Sequence, residues 1–168
     1  MAAADTYLPT EGAQPVDRRT IAVWRWSALV GWAPILTAGF LGSLAATVAR
    51  SALVPGVWAA FALAVGLLAF AVWWYPPARY RRLSYRLDDA GIVIKDGVFW
   101  RTESALPRVR IQHTDVSQGP LQRRYGVATL KLYTAGSRFT RIELPGLEYE
   151  AAVALRDRLQ QEGGDDAV

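Results

Sequence analysis

Cysteine is absent from this chain of 168 residues, and histidine occurs once, as His113. Without cysteine there is no disulfide framework, no thiol nucleophile and no thiolate metal site. One histidine leaves too few soft ligands for a zinc or haem site. We therefore expect no metal and no cofactor, and we expect none of the enzyme classes that depend on imidazole or thiol chemistry.

The sequence also lacks the short motifs that bind phosphates or carry catalysis: GxxxxGK[ST], GxGxxG, GxSxG and HExxH do not occur. Asp88 and Asp89 form an acidic pair, but they lie in a turn, where aspartate bonds its own backbone. His113 stands near Asp115, which can orient an imidazole. Nothing in the sequence brings a serine to it, and we interpret it as a surface histidine at a strand end. We expect that the protein is not an enzyme.

Charge is missing from two long stretches of the chain. The 24 residues between Arg25 and Arg50 and the 28 residues between Arg50 and Arg79 contain no charged side chain. The 90 residues from Arg79 to the end carry 15 Lys and Arg and 12 Asp and Glu. This asymmetry excludes a single soluble globule.

The two uncharged stretches are long enough to span a bilayer, which takes about 20 apolar residues per helix. We predict helices over residues 26–48 and 57–75, joined by a turn so short that they form an antiparallel hairpin. Pro34 lies inside the first helix and is expected to kink it. Pro76-Pro77 is expected to end the second.

The distribution of basic residues predicts the orientation of the hairpin. Basic residues are retained on the cytoplasmic side, and only Arg50 lies in the connecting loop. The flanking ones are Arg18, Arg19 and Arg25 before the first helix, and Arg79, Arg81, Arg82 and Arg86 after the second. We predict a multi-pass protein of the cytoplasmic membrane with both termini in the cytoplasm. Residues 1–17 read as a disordered tail, and the late basic cluster argues against a cleaved signal peptide.

Small residues recur at every fourth position of both helices: Ala38, Gly42 and Ala46 in the first, Ala62 and Gly66 in the second. Such a stripe lets helices approach closely, either within the hairpin or between protomers. An alanine-rich sequence also produces it by chance. No charged or amide side chain lies in either span, whereas transporters need intramembrane ionisable groups. The hairpin is therefore predicted to be an anchor.

After the hairpin, the hydrophobic period switches from helical to the two-residue alternation of strands. Lys95-Asp96-Gly97 is a hairpin signal, and residues 119–126 read as a loop or a single helical turn. The predicted strands are 83–87, 92–94, 98–106, 108–112 (with Val109 and Ile111 inward), 127–134 and 139–144.

Pro145-Gly146 is expected to close the sheet, and residues 148–161 are predicted to form an amphipathic helix. Its inward positions are Tyr149, Ala152, Val153, Leu155 and Leu159. The fold class is an α+β membrane protein, in which a two-helix transmembrane hairpin precedes an antiparallel β-barrel or sandwich capped by a C-terminal α-helix. The cytoplasmic domain is expected over 79–162, with a flexible C-terminus at 163–168.

Three segments carry a family resemblance, in this order: RLDDAGIVIKDG (86–97), LPRVRIQ (106–112) and QGPLQRRYG (118–126). Together with the hairpin they resemble the bacterial pleckstrin-homology-like family, and within it the YdbS-like membrane-flanking group, over about residues 20–160. The resemblance implies a PH-like barrel of about seven strands, capped by the C-terminal helix and placed behind a pair of membrane helices.

Four positions match the motif of that family: Gln112, Gln118, Arg123 and Gly126. One interpretation is structural, with Gly126 in an unusual backbone conformation and the glutamines bonding a loop. The other is a partner surface, for example an exposed strand edge that accepts an added strand. Both alternatives stay open on the sequence alone.

Arginine is the prominent basic residue, and it suits phosphate because its guanidinium is planar and bidentate. A candidate contact with lipid headgroups comprises Arg79, Arg81 and Arg82 at the membrane exit, with Arg108, Arg110, Arg123 and Arg124 as a second patch. The simpler alternative is that these arginines keep a small domain soluble.

These observations predict a membrane-anchored, non-enzymatic interaction or assembly module. The alternatives are a module that senses anionic lipid headgroups and an accessory subunit of a membrane transport or envelope-stress complex. The expected partners are the lipid bilayer and either another membrane protein or a second copy of the chain. We expect no nucleic-acid partner, because no basic strand carries interleaved aromatics, and no small-molecule substrate.

Overall fold

The computed structural model describes residues 12–49, 52–88, 90–134 and 141–161. The chain divides into a unit of residues 21–78 and a second unit that combines the segment up to Thr20 with the chain from Arg79 onward. Several predictions lie outside the described residues: the tail before residue 12, Arg50, Asp89, the turn and strand start at 135–140, and the C-terminus at 163–168.

The first unit contains two long helices, α1 (Thr20–Val48) and α2 (Val54–Tyr80). Their most apolar windows have mean hydropathies of 1.6 and 2.1, and only 6% and 0% of those windows are buried. Both helices are thus long and apolar enough to cross a membrane, and their apolar side chains face outward instead of forming a soluble core. The predicted hairpin is confirmed: α1 starts earlier than expected and ends at the predicted residue, whereas α2 starts earlier and ends later.

The helix α2 does not end at Pro76-Pro77, as predicted, but continues to Tyr80. A proline at position 77 has no N–H for the carbonyl of Trp73, four residues earlier. The Arg25 side chain supplies the missing donor, since its Nη2 lies 3.2 Å from that carbonyl oxygen. The prediction was wrong because a neighbouring helix satisfies the group that the proline leaves open.

The two helices approach each other along a line one position away from the predicted small-residue stripe. A Cβ at Gly39 would lie 3.2 Å from the Phe61 ring. Ser43, one turn further along α1, is buried. At Thr47, the Oγ1 atom accepts a hydrogen bond from Trp58 Nε1 at 3.0 Å. Of the predicted stripe, Ala46 is half-buried and the others are exposed: Ala38, Gly42, Ala62 and Gly66.

A Cβ added at Gly42 or Gly66 would meet nothing within 4 Å. The predicted stripe therefore does not bring the two helices of one hairpin together. Its other possible role, contact between protomers, stays a prediction.

Within the described residues, the second unit contains seven strands in two antiparallel sheets. One sheet has the order β1-β2-β3-β4 and the other β5-β6-β7. The strands are β1 (Gln14–Pro15), β2 (Ser84–Asp88), β3 (Gly91–Asp96), β4 (Thr102–Pro107), β5 (Ile111–Ser117), β6 (Val127–Thr134) and β7 (Arg141–Glu148). A short helix, α3 (Pro120–Tyr125), and a C-terminal helix, α4 (Tyr149–Gln161), complete it. The α+β class and the capping helix are confirmed.

The core of this unit forms where the alternation of each strand turns apolar side chains inward. Its fully buried side chains include Leu83, Ile92, Val127, Leu130, Leu132 and Leu144. The helix α4 packs against β5, β6 and β7 and buries Ala152, Leu155 and Leu159, which is the 3–4 spacing of an amphipathic helix. Two predicted inward positions differ, since Val153 is half-buried and Tyr149 is 42% exposed.

Two predicted strand segments are not strands. Residues 97–101 form a loop between β3 and β4, whereas the sequence predicted a strand from residue 98. Residues 108–110 form a single 3₁₀ turn, and Val109, predicted to point inward, is 87% exposed. Pro107 ends β4 as expected, and the turn that follows leads the chain from one sheet to the other. Val109 and Ile111 alternate with polar residues as they would in a strand, so the sequence pattern does not distinguish the turn between the two sheets from a strand.

Pro145-Gly146 does not close the second sheet, because β7 continues through both residues to Glu148. The register shifts between Ala128 and Thr129, so that Thr129 lies opposite Pro145 and Ala128 opposite Leu147. Such a bulge lets a strand accommodate a proline and a glycine, and Gly146 has a φ of +85°.

The segment before α1 packs on the second unit, whereas the sequence predicted a disordered tail as far as residue 17. Gln14 and Pro15 pair with Tyr85 and Ser84, and Val16 is buried. The Asp17 amide donates to the Gly146 carbonyl at 2.7 Å. The sequence did not predict the strand β1 because the segment is composed of small and polar residues. A strand of two residues is also too short to show a hydrophobic period.

Candidate functional site

A groove of about 300 Å³ runs between strand β2 and helix α4. Its walls come from the start of the described chain, one edge strand and one face of a helix. The lining residues are Gly12, Gln14, Tyr85, Leu87, Asp88, Arg108, Ala151, Ala154, Leu155 and Arg158. The sequence pointed to only one of them, Arg108, as a site residue.

Within the described residues, β1 is much shorter than its neighbour β2 and pairs with only part of the groove-side edge of that strand. It pairs with β2 only at Ser84 and Tyr85. On the other side, β3 pairs along the whole of β2. No strand within the described residues pairs with Leu87 or Asp88 on the groove side.

Tyr85 closes the end of the groove next to β1. Its hydroxyl donates to Gln14 Oε1 at 3.0 Å, which ties the N-terminal segment to the sheet. Burial raises the pKa of the Tyr85 hydroxyl above its ordinary value, because a phenolate is poorly solvated there. The side chain is therefore neutral across the physiological range and keeps its donor.

The described lining of the groove combines apolar side chains with two arginines. Leu87, Ala151 and Ala154 supply apolar wall, while Arg108 and Arg158 supply guanidinium groups. Asp88, the one carboxylate among the described lining residues, is already engaged: it pairs with Arg86 at 3.2 Å and accepts the Gly91 amide at 3.0 Å. An extended segment with apolar and acidic side chains would match these walls.

The family-motif segment 118–126 folds into α3 and its two ends, and its side chains bond the protein itself. The Gln122 side chain accepts the Gly119 amide at 2.9 Å and donates to Thr129 Oγ1 at 2.8 Å. Gln118 Nε2 donates to the Val127 carbonyl at 3.0 Å. These bonds fix α3 on strand β6, which favours the structural interpretation for Gln118.

Gly126 ends α3 in the left-handed conformation, with a φ of +70°. Its carbonyl accepts the amide of Tyr149, the first residue of α4. The glycine thus stops one helix and bonds the start of the next. Gln112, the other motif glutamine, lies exposed on β5, so a partner-surface role remains a prediction for it.

The seven predicted arginines are distributed over separate places. Arg79 forms a bidentate pair with Asp96, with Nη2 to Oδ2 at 2.6 Å, and Arg82 donates to the Val98 carbonyl at 2.8 Å. Arg108 lines the groove. The remaining four are exposed: Arg81, Arg110, Arg123 and Arg124.

Strand β3 separates two of these arginines. Arg79 bonds Asp96 at the end of β3, whereas the Arg108 amide bonds Ala90, just before β3 begins. Six residues of strand separate those ends by roughly 17–20 Å. Arg79 and Arg108 therefore lie apart, as members of two separate patches would, and contact of either patch with lipid headgroups stays a prediction.

His113 lies exposed on β5, and its ring contacts the Tyr133 ring with the centroids 5.7 Å apart. Asp115 is exposed two residues further along the same strand. Among the described residues, no group of three or more His, Asp and Glu side chains is placed to hold a metal ion.

The family model for the bacterial PH domain matches residues 28–163. The chain belongs to the bacterial PH domain family. The match begins inside α1, so the family pattern includes the membrane hairpin as well as the two sheets.

One curated relative of this bacterial PH domain protein is the UPF0699 transmembrane protein YdbS of Bacillus subtilis (strain 168), which is 39% identical over 86 residues. That alignment covers 51% of this chain and 52% of the relative, so the chain spans about half the length of the relative it matches. No solved structure matches the chain. The resemblance seen in the sequence is confirmed, and the chain is a membrane protein with two candidate transmembrane helices.

Proposed function

We propose that this bacterial PH domain protein is a membrane-anchored, non-enzymatic interaction module that binds an extended segment of another membrane protein. The groove between β2 and α4 carries the proposal, because it combines an open strand edge with a helix wall. The basic residues that flank the hairpin support a position of the module on the cytoplasmic face of the cytoplasmic membrane.

The chain's own N-terminal segment supports binding by strand addition. Gln14 and Pro15 already pair with Ser84 and Tyr85, so β2 accepts a further strand along this edge. Leu87 and Asp88 continue the same edge into the groove, where a partner strand would gain main-chain hydrogen bonds. Alternate side chains of such a strand would face Ala154 and the other apolar residues of α4.

Electrostatics favour a partner segment that contains acidic residues. Arg108 and Arg158 line the groove, and Asp88, the single acid in the part of the lining that the structure describes, pairs with Arg86. Arginine binds carboxylates in a bidentate geometry that lysine does not reproduce. We therefore expect alternating apolar and acidic side chains in the bound segment.

The test is a screen of displayed random peptides against the full chain in lipid nanodiscs, followed by affinity measurements on the enriched peptides. The blocking variant is Ala154→Trp, because Ala154 is exposed on α4 and lines the groove. The matched control is Ala105→Trp, at an exposed alanine on β4 outside the groove.

The proposal expects enriched peptides with alternating apolar and acidic residues. Their affinity should fall at least about tenfold, or roughly 1.4 kcal/mol, in Ala154→Trp and stay unchanged in Ala105→Trp. Arg108→Gln and Arg158→Gln should weaken acidic peptides and leave their amide analogues unaffected. Failure to enrich any peptide, or equal binding to both tryptophan variants, would overturn the groove as the site.

A further inference from the structure

The loop between β3 and β4, residues 97–101, presents two aromatic side chains to the outside. Phe99 is 74% exposed and Trp100 is 88% exposed. Large aromatic side chains side by side on a loop tip are unusual on a water-facing surface, where such patches mark an interaction site. No residue of this loop lines the groove between β2 and α4.

Two arginine contacts tie this loop to the chain that leaves the membrane helix. Arg79, in the last turn of α2, grips Asp96 at the base of the loop through two hydrogen bonds. Arg82, just after α2, donates to the Val98 carbonyl inside the loop at 2.8 Å. The loop is thereby held beside residues 79–82.

Residues 79–82 follow the second predicted span, which ends at about residue 75, by only a few positions. The headgroup region extends roughly 5–8 Å beyond the hydrocarbon core on each side. Residues 79–82 therefore lie at headgroup level or just beyond it, and a loop hydrogen-bonded to them lies next to the membrane surface.

The charges around the loop suit lipid phosphates. A cavity of about 480 Å³ beside it is lined by Arg82, Lys95, Asp96, Gly97, Arg101, Thr102 and Glu103. Its two acids are engaged within the protein, since Asp96 pairs with Arg79 and Glu103 with Lys95 at 3.2 Å. Arg101 is exposed next to Trp100. The loop thus combines aromatic side chains with flanking cations, which is the composition of membrane–water interfaces.

We infer that the loop 97–101 is a membrane-contact site: Phe99 and Trp100 enter the headgroup region of the leaflet nearest the domain, and Arg82 and Arg101 bind phosphates of anionic phospholipids there. This site is separate from the groove, so it fixes the domain on the bilayer and leaves the groove accessible. Tryptophan and phenylalanine supply the interfacial affinity, and the arginines add a preference for anionic lipid.

The absence of cysteine makes a direct depth measurement possible in the full chain. Single variants Trp100→Cys and Val109→Cys are labelled with an environment-sensitive fluorophore and reconstituted in vesicles. Val109 is a matched control, because it is an apolar residue that is 87% exposed on the turn 108–110. The quencher is a phospholipid with a nitroxide high on its acyl chain, in phosphatidylcholine with and without about 30% phosphatidylglycerol.

The expected result is blue-shifted emission and lipid quenching at position 100 that is at least about twofold stronger than at position 109. Phosphatidylglycerol should increase the difference, and Arg101→Gln should remove that increase. Water-like emission at position 100 would overturn the inference. Blue-shifted emission without lipid quenching would also overturn it and would indicate a protein contact. Equal quenching at both positions would show that the loop has no special role in membrane contact.

Discussion

Arg25 of α1 caps the carbonyl of Trp73 in α2 and lies over the indole ring of the same residue. Its Nη2 is 3.2 Å from the carbonyl oxygen, and its guanidinium carbon is 4.5 Å from the ring centroid. Pro77 is the residue that deprives this carbonyl of its helical donor. One side chain therefore compensates for a proline on the neighbouring helix and adds a cation–π contact.

This relationship predicts that Arg25 and Pro77 are energetically coupled. Arg25→Ala should destabilise the hairpin by about 1–2 kcal/mol, because it leaves the Trp73 carbonyl without a donor. In a Pro77→Ala background the helix recovers its own N–H at that position, so Arg25→Ala should cost less. The measurement is a double-mutant cycle on thermal unfolding in nanodiscs.

The cycle separates the hydrogen bond of Arg25 from its ring contact. Pro77→Ala gives the Trp73 carbonyl a helical donor again, and it does not replace the contact of Arg25 with the Trp73 ring. A coupling energy of about 1 kcal/mol is expected. Additive effects of the two substitutions on stability would refute the capping role of Arg25. The control is Arg18→Ala, at an exposed arginine, which should show no coupling with Pro77→Ala.

Gly146 is predicted to tolerate alanine poorly. It has a φ of +85°, and a Cβ there would lie 2.8 Å from Thr20 Cγ2. Its carbonyl accepts both the Asp17 amide and the Thr20 hydroxyl. Gly146→Ala should therefore destabilise the protein by about 2–4 kcal/mol, through strain and loss of this packing.

The comparison is Gly126→Ala, where φ is +70° but a Cβ would have no contact closer than 3.6 Å. There only the backbone cost applies, about 1 kcal/mol. Chemical denaturation of the two variants checks the order. If Gly126→Ala proved the more damaging substitution, the close approach of Thr20 to β7 would be wrong.

Substitutions of neighbouring side chains in the motif segment 118–126 are predicted to differ in their effect on stability. Gln122→Ala removes the bonds to Gly119 and Thr129 and should lower stability by about 1–2 kcal/mol. Replacement of the exposed Arg123 and Arg124 by serine should leave stability within about 0.5 kcal/mol.

The same pair of serine substitutions tests the lipid-sensing alternative on the full chain in nanodiscs. Loss of a preference for anionic lipid in the variant would favour that alternative over a structural segment with solvated charges. An unchanged preference for anionic lipid in the serine variant, together with unfolding of Gln122→Ala at a lower denaturant concentration, would support the structural interpretation of the segment 118–126.

Tyr85 predicts a pH dependence at the alkaline limit. Its pKa is raised in the folded protein by burial, whereas an unfolded tyrosine titrates near pH 10. Above that pH the unfolded state releases the proton first, so the folded state holds more protons and stability falls as pH rises. The contribution is fully present below the unfolded pKa and is lost as pH rises through the folded pKa.

Tyr85→Phe should flatten this alkaline loss, because phenylalanine has no proton to release. The measurement is unfolding free energy from neutral pH to above pH 10, with absorbance of tyrosinate as a direct titration. A wild-type-like alkaline loss in Tyr85→Phe would show that another group causes it.

The elements that local sequence determines were predicted well. Strand β6 matches its prediction from Val127 to Thr134 because alternation and burial coincide there. The helix α4 follows from its 3–4 spacing, and both spans follow from length and hydropathy. In each of these segments, the pattern or the composition of the segment itself indicates the environment in which it lies.

The predictions that failed concern residues whose structure depends on distant partners. Pro77 would end an isolated helix, and Arg25 changes that outcome from the other helix. Gly146 reads as a turn, and only a bulge opposite Thr129 makes it part of a strand. The groove was missed for the same reason, since Tyr85, Arg108 and Ala154 are far apart along the chain.

The contact of Thr20 with Gly146 has a consequence for the architecture of the whole chain. The folded domain is discontinuous: residues 12–20 form its first piece, the chain from Arg79 onward forms its second, and the membrane hairpin is an insertion between them. A soluble fragment that starts at Arg79 would lack an edge strand and the cover over β7. A faithful soluble version would join Thr20 to Arg79 by a linker, and it would keep the groove between β2 and α4 bounded by its own N-terminal segment.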